Sequence, residues 1–288
     1  MNIIALQGVD FTYGLSKHLD KPVQALTGVT LDIQKGDFVA LIGRNGSGKS
    51  TLARLLNALC LPDRGSVAIH NLNTCDASQL WEIRRRTGMV FSEPDTQIVG
   101  TTIEEDVAFG PENLCLSSVE VMERVKESLH TVGLSESAGR APHLLSGGEK
   151  QRLAIAGVLA MQPECIVLDE ATSMLDPVGR GEVMELIRRL NRELGITVIL
   201  ITQQIDEAIM ADRIFVLDRG QVVLNGTPSE VFSDSLGMKA LGLMLPAVTE
   251  LFELLNQDGF HLPAGLISQD ESLAALIQLL LGKSDYVA

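Results

Sequence analysis

GRNGSGKST, residues 43–51, limits what this chain can fold into more than any other stretch. It follows the apolar run FVALI and opens a helical pattern, so Gly-x-x-x-x-Gly-Lys-Ser stands in the strand-loop-helix setting in which that spacing grips phosphate. Gly43, Gly46 and Gly48 let backbone N–H groups turn inward around anionic oxygens, and the helix start adds the positive end of its dipole. Lys49 supplies a mobile positive charge and Ser50 a hydroxyl suited to Mg2+, with Arg44, Asn45, Ser47 and Thr51 filling out the cradle. The bland alternative is a glycine turn with an exposed lysine.

Around this loop the apolar runs are short and continuous: FVALIG (38–43), VAI (67–69), GMVF (88–91), CIVLD (165–169), TVILIT (197–202) and RIFVLD (213–218). Strands that do not alternate are covered on both faces, which predicts an α/β fold with a mostly parallel sheet. The 3.6-residue periodicity predicts helices over 50–59, 118–131, 148–161, 178–194 and 205–211. Arg219-Gly220 in LDRGQVVLNG reads as a hairpin turn, and TPSE at 227–230 as a capping box that starts one more short helix. Beyond Leu245-Pro246 the character changes. AVTELFELLNQDGF looks helical, and SQDESLAALIQLLLG carries a second capping box, Ser268 with Glu271, and a stop at Gly282. The expected organisation is therefore a domain over 1–245 and a small helical unit over 246–288, whose leucines either pack on the main domain or form a dimer surface.

Charge removes several classes of function. With 37 acidic against 23 basic residues the net charge is -14, which opposes binding to nucleic-acid phosphates or to an anionic lipid surface. Any membrane contact is expected to run through a protein partner. No run approaches the roughly 20 apolar residues of a spanning helix, and MNIIALQGVD lacks a signal-peptide layout, so a cytosolic location is expected. Cys60, Cys75, Cys115 and Cys165 are widely spaced, and a disulfide framework or zinc site is not expected.

A phosphate loop needs acidic partners. CIVLDEATS ends an apolar strand in Asp169, expected to reach the metal's water shell, followed by Glu170, expected to activate the attacking water. In LLSGGEKQRLAIAGVLA (144–160), Ser146, Gly147 and Gly148 precede a long amphipathic helix, a second anion-binding helix start that one nucleotide does not obviously need. This stretch matches at every position the signature LSGG-[EQ]-x-QR, and the chain resembles the ATP-binding subunits of ABC transporters over about residues 3–235. The resemblance implies a P-loop NTPase domain with a helical subdomain over about 92–162 and an antiparallel β part. It also implies ATP and Mg2+ as ligands and a head-to-tail pair of ATPases, in which Ser146, Gly147, Gly148 and Glu149 close over the partner's ATP. Tyr13 in VDFTY resembles the aromatic that stacks on adenine; in a bland reading it is a core strand residue. Asp176 in SMLDP resembles the dimer-facing Asp between the two sites, and an N-cap before Pro177 is equally compatible.

PDTQIVGTTIEEDVAFGPENL (94–114), AIAGVLAMQPE and the C-terminal extension further resemble the ATPases of energy-coupling factor transporters, the vitamin and metal-ion importers. That implies a transmembrane coupling subunit resting near the loop around 92–112, a substrate-capturing membrane protein, and a peripheral position on the cytoplasmic face of the cell membrane. Otherwise IEEDVAFG is an acidic amphipathic turn.

Two positions depart from the family pattern. Where the resemblance implies a histidine touching the γ-phosphate the chain has Gln203, and where it implies a glutamine reaching the metal the chain has Ser92. An amide still donates to a phosphate oxygen but carries no proton or charge near neutral pH, and a serine is too short to reach the metal without a bridging water. Gln97 matches a different family glutamine, and Gln204 reads as a solvated strand exit. The expectation is an ATP-hydrolysing import subunit with a slowed site of its own, paired in a heterodimer. An ATP-gated clamp with little hydrolysis and a soluble non-transport ABC ATPase are the alternatives, separable by phosphate release and by co-purification with a membrane protein.

Overall fold

Every residue of FVALIG is buried, so both faces of that strand must be covered, and two cores form against it. The computed structural model describes residues 2–14, 22–263, 265–267 and 269–281. The chain runs through strands β1 (Asn2–Tyr13), β2 (Val23–Gln34) and β3 (Phe38–Gly43), then helix α1 (Lys49–Leu56), β4 (Arg64–Ile69), β5 (Leu72–Asn73), α2 (Leu80–Arg86) and β6 (Thr87–Val90). Helices α3 (Ile103–Asn113), α4 (Ser118–Thr131) and α5 (Gly147–Leu159) follow. The core resumes with β7 (Cys165–Asp169), α6 (Pro177–Arg192), β8 (Thr197–Ile201), α7 (Ile205–Ala208), β9 (Arg213–Asp218) and β10 (Gln221–Gly226). Four helices close the described chain: α8 (Pro228–Ser233), α9 (Ser235–Ala240), α10 (Ala247–Gln257) and α11 (Gln269–Leu280).

The central sheet has the order β10-β9-β3-β8-β7-β6 and is parallel except for β10, which returns from β9 through the Arg219-Gly220 turn expected from the sequence. Phe38, Ala40 and Ile42 face the core shared with α3, α4, α5 and α6, while Val39 and Leu41 face the core that holds α1 and the second sheet. That alternation within a continuous apolar run is what a strand covered on both sides requires. Helix α1 buries Leu52, Ala53, Leu55 and Leu56 between the two sheets.

The strand over 67–69 corrects an expectation. It belongs to β4 in a separate sheet, β2-β1-β4-β5, whose pairings are all antiparallel. Its run of apolar residues is too short to show whether it alternates, and its partner β1 is bulged, which blurs the period-2 pattern in both. Helix α4 keeps its expected limits, the other expected helices shift or shorten by a few residues, and α2 and α3 were not foreseen as helices.

The Thr227 and Glu230 side chains form the expected capping box of α8. Ser268 and Gly282 lie outside the described residues. Past Pro246, α10 and α11 gather a small core of Phe252, Leu262 and Ala275, apart from the two main cores. Glu253 ties it to α9, accepting from Ser235 Oγ at 2.6 Å and Lys239 Nζ at 2.5 Å. With so few apolar neighbours, Phe252→Ala, which in a core costs about 3–5 kcal/mol, is expected to melt this unit alone. Hydrogen exchange should then show lost protection in α10 and α11 with β3, β7 and β8 unchanged. Among the described residues no helix is long and apolar enough to cross a membrane.

Candidate nucleotide site

Parallel register brings the functional strand ends to one edge. Leu41 of β3 pairs with Ile201 of β8, and Ile201 with Asp169 of β7, so residues 43–51, Asp169-Glu170 and Thr202-Gln203 emerge together where open α/β sheets bind ligands.

The glycine-rich loop is held by backbone from the β9–β10 turn: Gly220 N donates to Ser47 O at 2.9 Å. Gly48 is the N-cap of α1 with a φ of 105° and no side-chain cap, which leaves the first amides of the helix without a capping oxygen. Lys49, 5% exposed, folds back and donates to Gly43 O at 2.8 Å and Arg44 O at 3.1 Å. Ser47 Oγ is buried without a hydrogen-bond partner. An uncapped helix start, an ammonium satisfied only by its own loop and an orphaned hydroxyl all suit a phosphate chain.

Ser50 Oγ donates to Asp169 Oδ1 at 2.9 Å across 119 residues of sequence. Burial pushes the Asp169 carboxyl up, opposed by the Ser50 hydrogen bond, and burial pushes the Lys49 ammonium down, opposed by Glu170 and Asp169. A hydroxyl beside a carboxylate is a hard-oxygen pair of the kind Mg2+ takes alongside phosphate oxygens. Tyr13 is half-buried rather than in the core: its hydroxyl lies 3.1 Å from Thr51 Oγ1, and its ring packs edge-on against Phe11 at 4.9 Å. Arg44, Asn45 and Gly46 are exposed.

Glu170 follows β7 with a φ of 51°, fixed by Glu170 N donating to Ile201 O at 3.0 Å and by Ser173 N and Oγ donating to its carbonyl at 3.0 and 2.8 Å. Its side chain accepts from Gln203 Nε2 at 2.8 Å. Both line a cavity of about 160 Å³ with Thr172, Ser173, Thr202 and Gln204. The strand itself ends at Ile201, and Gln203 and Gln204 are exposed. Ser92 follows Phe91 beyond β6, in a loop fastened by two glutamines: Phe91 N donates to Gln97 Oε1 at 2.7 Å, Gln97 Nε2 donates to Met89 O at 3.2 Å, and Gln151 Nε2 to Phe91 O at 3.1 Å.

The second glycine pair stands elsewhere. Ser146 caps α5 in a complete box, accepting from Glu149 N while Glu149 accepts from Ser146 N, and Ser146 and Gly147 are exposed. At Gly148 an added Cβ would lie 3.3 Å from Gly179 Cα, so a glycine there lets α5 approach the start of α6. Asp176 caps α6, accepting from Gly179 N at 2.9 Å, and is exposed at the same surface.

Sequence reasoning missed four residues behind the site. Thr172, Thr202 and Glu207 are buried, and Arg180 lies beside Glu207. In the stretch IDEA, Glu207 is indistinguishable from a solvent-facing helical glutamate; only Thr202, next to Gln203, carried a local signal.

ATPases of the ABC type carry a phosphate loop, an Asp-Glu strand end and an outward-facing Ser-Gly-Gly helix start, and this chain is built as one. The family described as ABC transporter matches residues 26–173. The energy-coupling factor transporter ATP-binding protein EcfA1 of Symbiobacterium thermophilum is 53% identical over 278 residues, covering 96% of this chain and 97% of that protein. The solved structure of cbiO1 from Clostridium perfringens, described as part of the ABC transporter complex cbiONQ, superposes with a TM-score of 0.75 at 35% identity, over 88% of this chain and 99% of that one. A dimeric post-hydrolysis state of the ATP-binding cassette MJ0796, bound to ADP and Pi, superposes with a TM-score of 0.69 at 35% identity, over 78% and 98%. The chain belongs to the ATP-binding proteins of energy-coupling factor transporters, within the ABC transporter family.

Proposed function

We propose that this subunit binds ATP with Mg2+ in the loop 43–51 and powers uptake of a vitamin or metal ion as one half of an ATPase heterodimer. Backbone amides and Lys49 hold the phosphates, with Arg44, Asn45, Ser47 and Thr51 completing the cradle, and the Tyr13 ring carries the adenine. Ser50 and, through water, Asp169 would hold Mg2+, which would supply positive charge beside the phosphate oxygens. Glu170 Oε takes a proton from water as the water oxygen attacks the γ-phosphorus and ADP departs. Ser146, Gly147, Gly148 and Glu149 complete the ATP site of the partner ATPase, with Asp176 between the two. The dimeric relative bound to ADP and Pi supports that pairing.

The observation that carries the slow-site reading is the 2.8 Å bond from Gln203 Nε2 to Glu170 Oε1. A neutral amide donor can orient the carboxylate it touches, but it cannot carry charge toward the γ-phosphate as imidazole does. In the transporter assembly, with the partner ATPase's own catalytic carboxylate replaced by Gln, Gln203→His is expected to raise phosphate release at least about tenfold, a conservative threshold below the roughly hundred- to thousandfold that one positioned contact is worth. No gain from the histidine would remove the slow-site reading.

Exposed apolar surface supports contact with membrane partners. A cleft of about 710 Å³ between α3 and α4 is lined by Ala108, Leu116, Val121 and Met122 among the acidic Glu104 and Glu105, and Phe109 and Val99 are exposed nearby. It suits a helix of a transmembrane coupling subunit, which holds the assembly to the cytoplasmic face of the cell membrane together with a substrate-binding membrane protein. That the cbiO1 relative is described as part of the complex cbiONQ supports this. The domain 1–245, with its helical part over about 92–162, carries ATP, and the unit 246–288, with Leu254, Leu273 and Leu280 exposed, adds a dimer surface.

A further inference from the structure

Glu207 is a buried carboxylate to which no step above gives a task. It is 2% exposed on the short helix α7, and its two oxygens accept from two different strand-end segments. Thr172 Oγ1, two residues after Glu170, donates to Oε1 at 2.5 Å, and Thr202 Oγ1, immediately before Gln203, donates to Oε2 at 2.5 Å. Both threonines are buried, at 1% and 2% exposure. Arg180 Nε lies 3.8 Å from Oε1, and Arg180 Nη2 donates to Leu175 O at 3.4 Å, one residue before Asp176. Thr202 Oγ1 also accepts from Gln204 N at 2.9 Å, which fixes the turn that carries Gln203.

We infer that Glu207 is a positioning residue that sets Gln203 against Glu170 and links both to the partner-facing Asp176 segment. A buried carboxylate is costly unless its lone pairs are filled, and here they are filled by groups on the segments that must stay in register for hydrolysis. Glu170 and Gln203 meet through a single contact at an exposed surface, so their separation depends on what holds the segments behind them. Short charge-assisted O–H···O bonds are the stiffest available link of that length. A change in the Asp176 segment on pairing with the partner then reaches Glu170 through Leu175, Arg180 and Glu207.

This inference rests on the roles given to Glu170 and Gln203 above. The test is steady-state phosphate release as a function of ATP concentration in the assembled transporter, with the partner ATPase's own catalytic carboxylate replaced by Gln. Glu207→Gln is expected to lower kcat about tenfold with KM for ATP within about twofold, because the nucleotide cradle is untouched and the shift is smaller than the full ~1 Å misplacement that can cost about a hundredfold. Thr202→Val is expected to do the same and Thr202→Ser to restore the rate, which separates a lost hydroxyl from a fold that fails. In a Gln203→Ala background Glu207→Gln is expected to cost little more. Wild-type kcat in both Glu207→Gln and Thr202→Val overturns the inference, as does an undiminished tenfold loss in the Gln203→Ala background. A Glu170→Gln arm separates the readings: if that variant turns over normally, the catalytic assignment itself falls, whereas an inactive Glu170→Gln beside an unaffected Glu207→Gln removes only the positioning role.

Discussion

Glu170→Gln is expected to keep ATP bound and lose at least about a hundredfold in turnover at this chain's site, at the lower bound of what a positioned general base contributes. The backbone around Glu170 supports so selective an effect. Its left-handed φ of 51° is held by three hydrogen bonds to main-chain atoms, Glu170 N to Ile201 O and Ser173 N and Oγ to Glu170 O, none of which involves the carboxylate. The substitution therefore removes the carboxylate proposed to accept the proton and leaves the turn. The hydrogen bonds of Lys49 and of the Ser50–Asp169 pair, and the loop amides, are likewise untouched, so affinity for nucleotide should stay within a few-fold. The measurements are binding of a fluorescent ATP analogue and phosphate release with the partner's site silenced. Unchanged release would show that another group takes the proton, whereas loss of binding along with release would show that Glu170 builds the pocket rather than acting in it.

Gly43→Ala has the second largest expected effect, and it falls on stability as well as binding. A Cβ at Gly43 would lie 2.2 Å from Leu217 O and 2.7 Å from Ser47 Oγ. Leu217 is the partner of Gly43 in the β3–β9 pairing, so relieving the clash means parting two central strands or lifting the loop. Overpacking against backbone belongs at the upper end of the usual range, about 3 kcal/mol or more, which for a chain this size lowers Tm by roughly 6–12 °C. Gly46→Ala is the control: its φ of 79° asks for glycine, yet nothing lies within 4 Å of the added Cβ. It should cost only about 1–2 kcal/mol. Equal shifts in thermal unfolding for the two would refute the close approach of the loop to β9.

The same two regions show how far local sequence reaches. GRNGSGKST is legible because its signal is carried by neighbours along the chain: glycines at fixed offsets, a lysine on the first turn, a buried strand before it. The capping box at Thr227 with Glu230 is legible for the same reason, since a side chain reaching three residues along needs no tertiary context. The run CIVLD likewise announces a strand buried on both faces, ending in Asp169. Strand β1 was not legible: its bulges against β2 break the alternation by which an antiparallel strand is recognised.

Sequence alone therefore determined the phosphate loop, the acidic strand end, the Ser-Gly-Gly helix start and the parallel strands β3, β6, β7, β8 and β9, all features whose signals lie within a few residues. Tertiary structure alone decided that Ser50 meets Asp169 119 residues away, that Gly43 closes on Leu217, that β4 joins an antiparallel sheet, and that Glu207 is a buried tie between the turns that follow β7 and β8 rather than a solvated glutamate. The physical reason is that these depend on strand register and on which face of a helix is covered. Both are set by pairing between segments far apart in the chain, and residue type at a single position does not record that pairing.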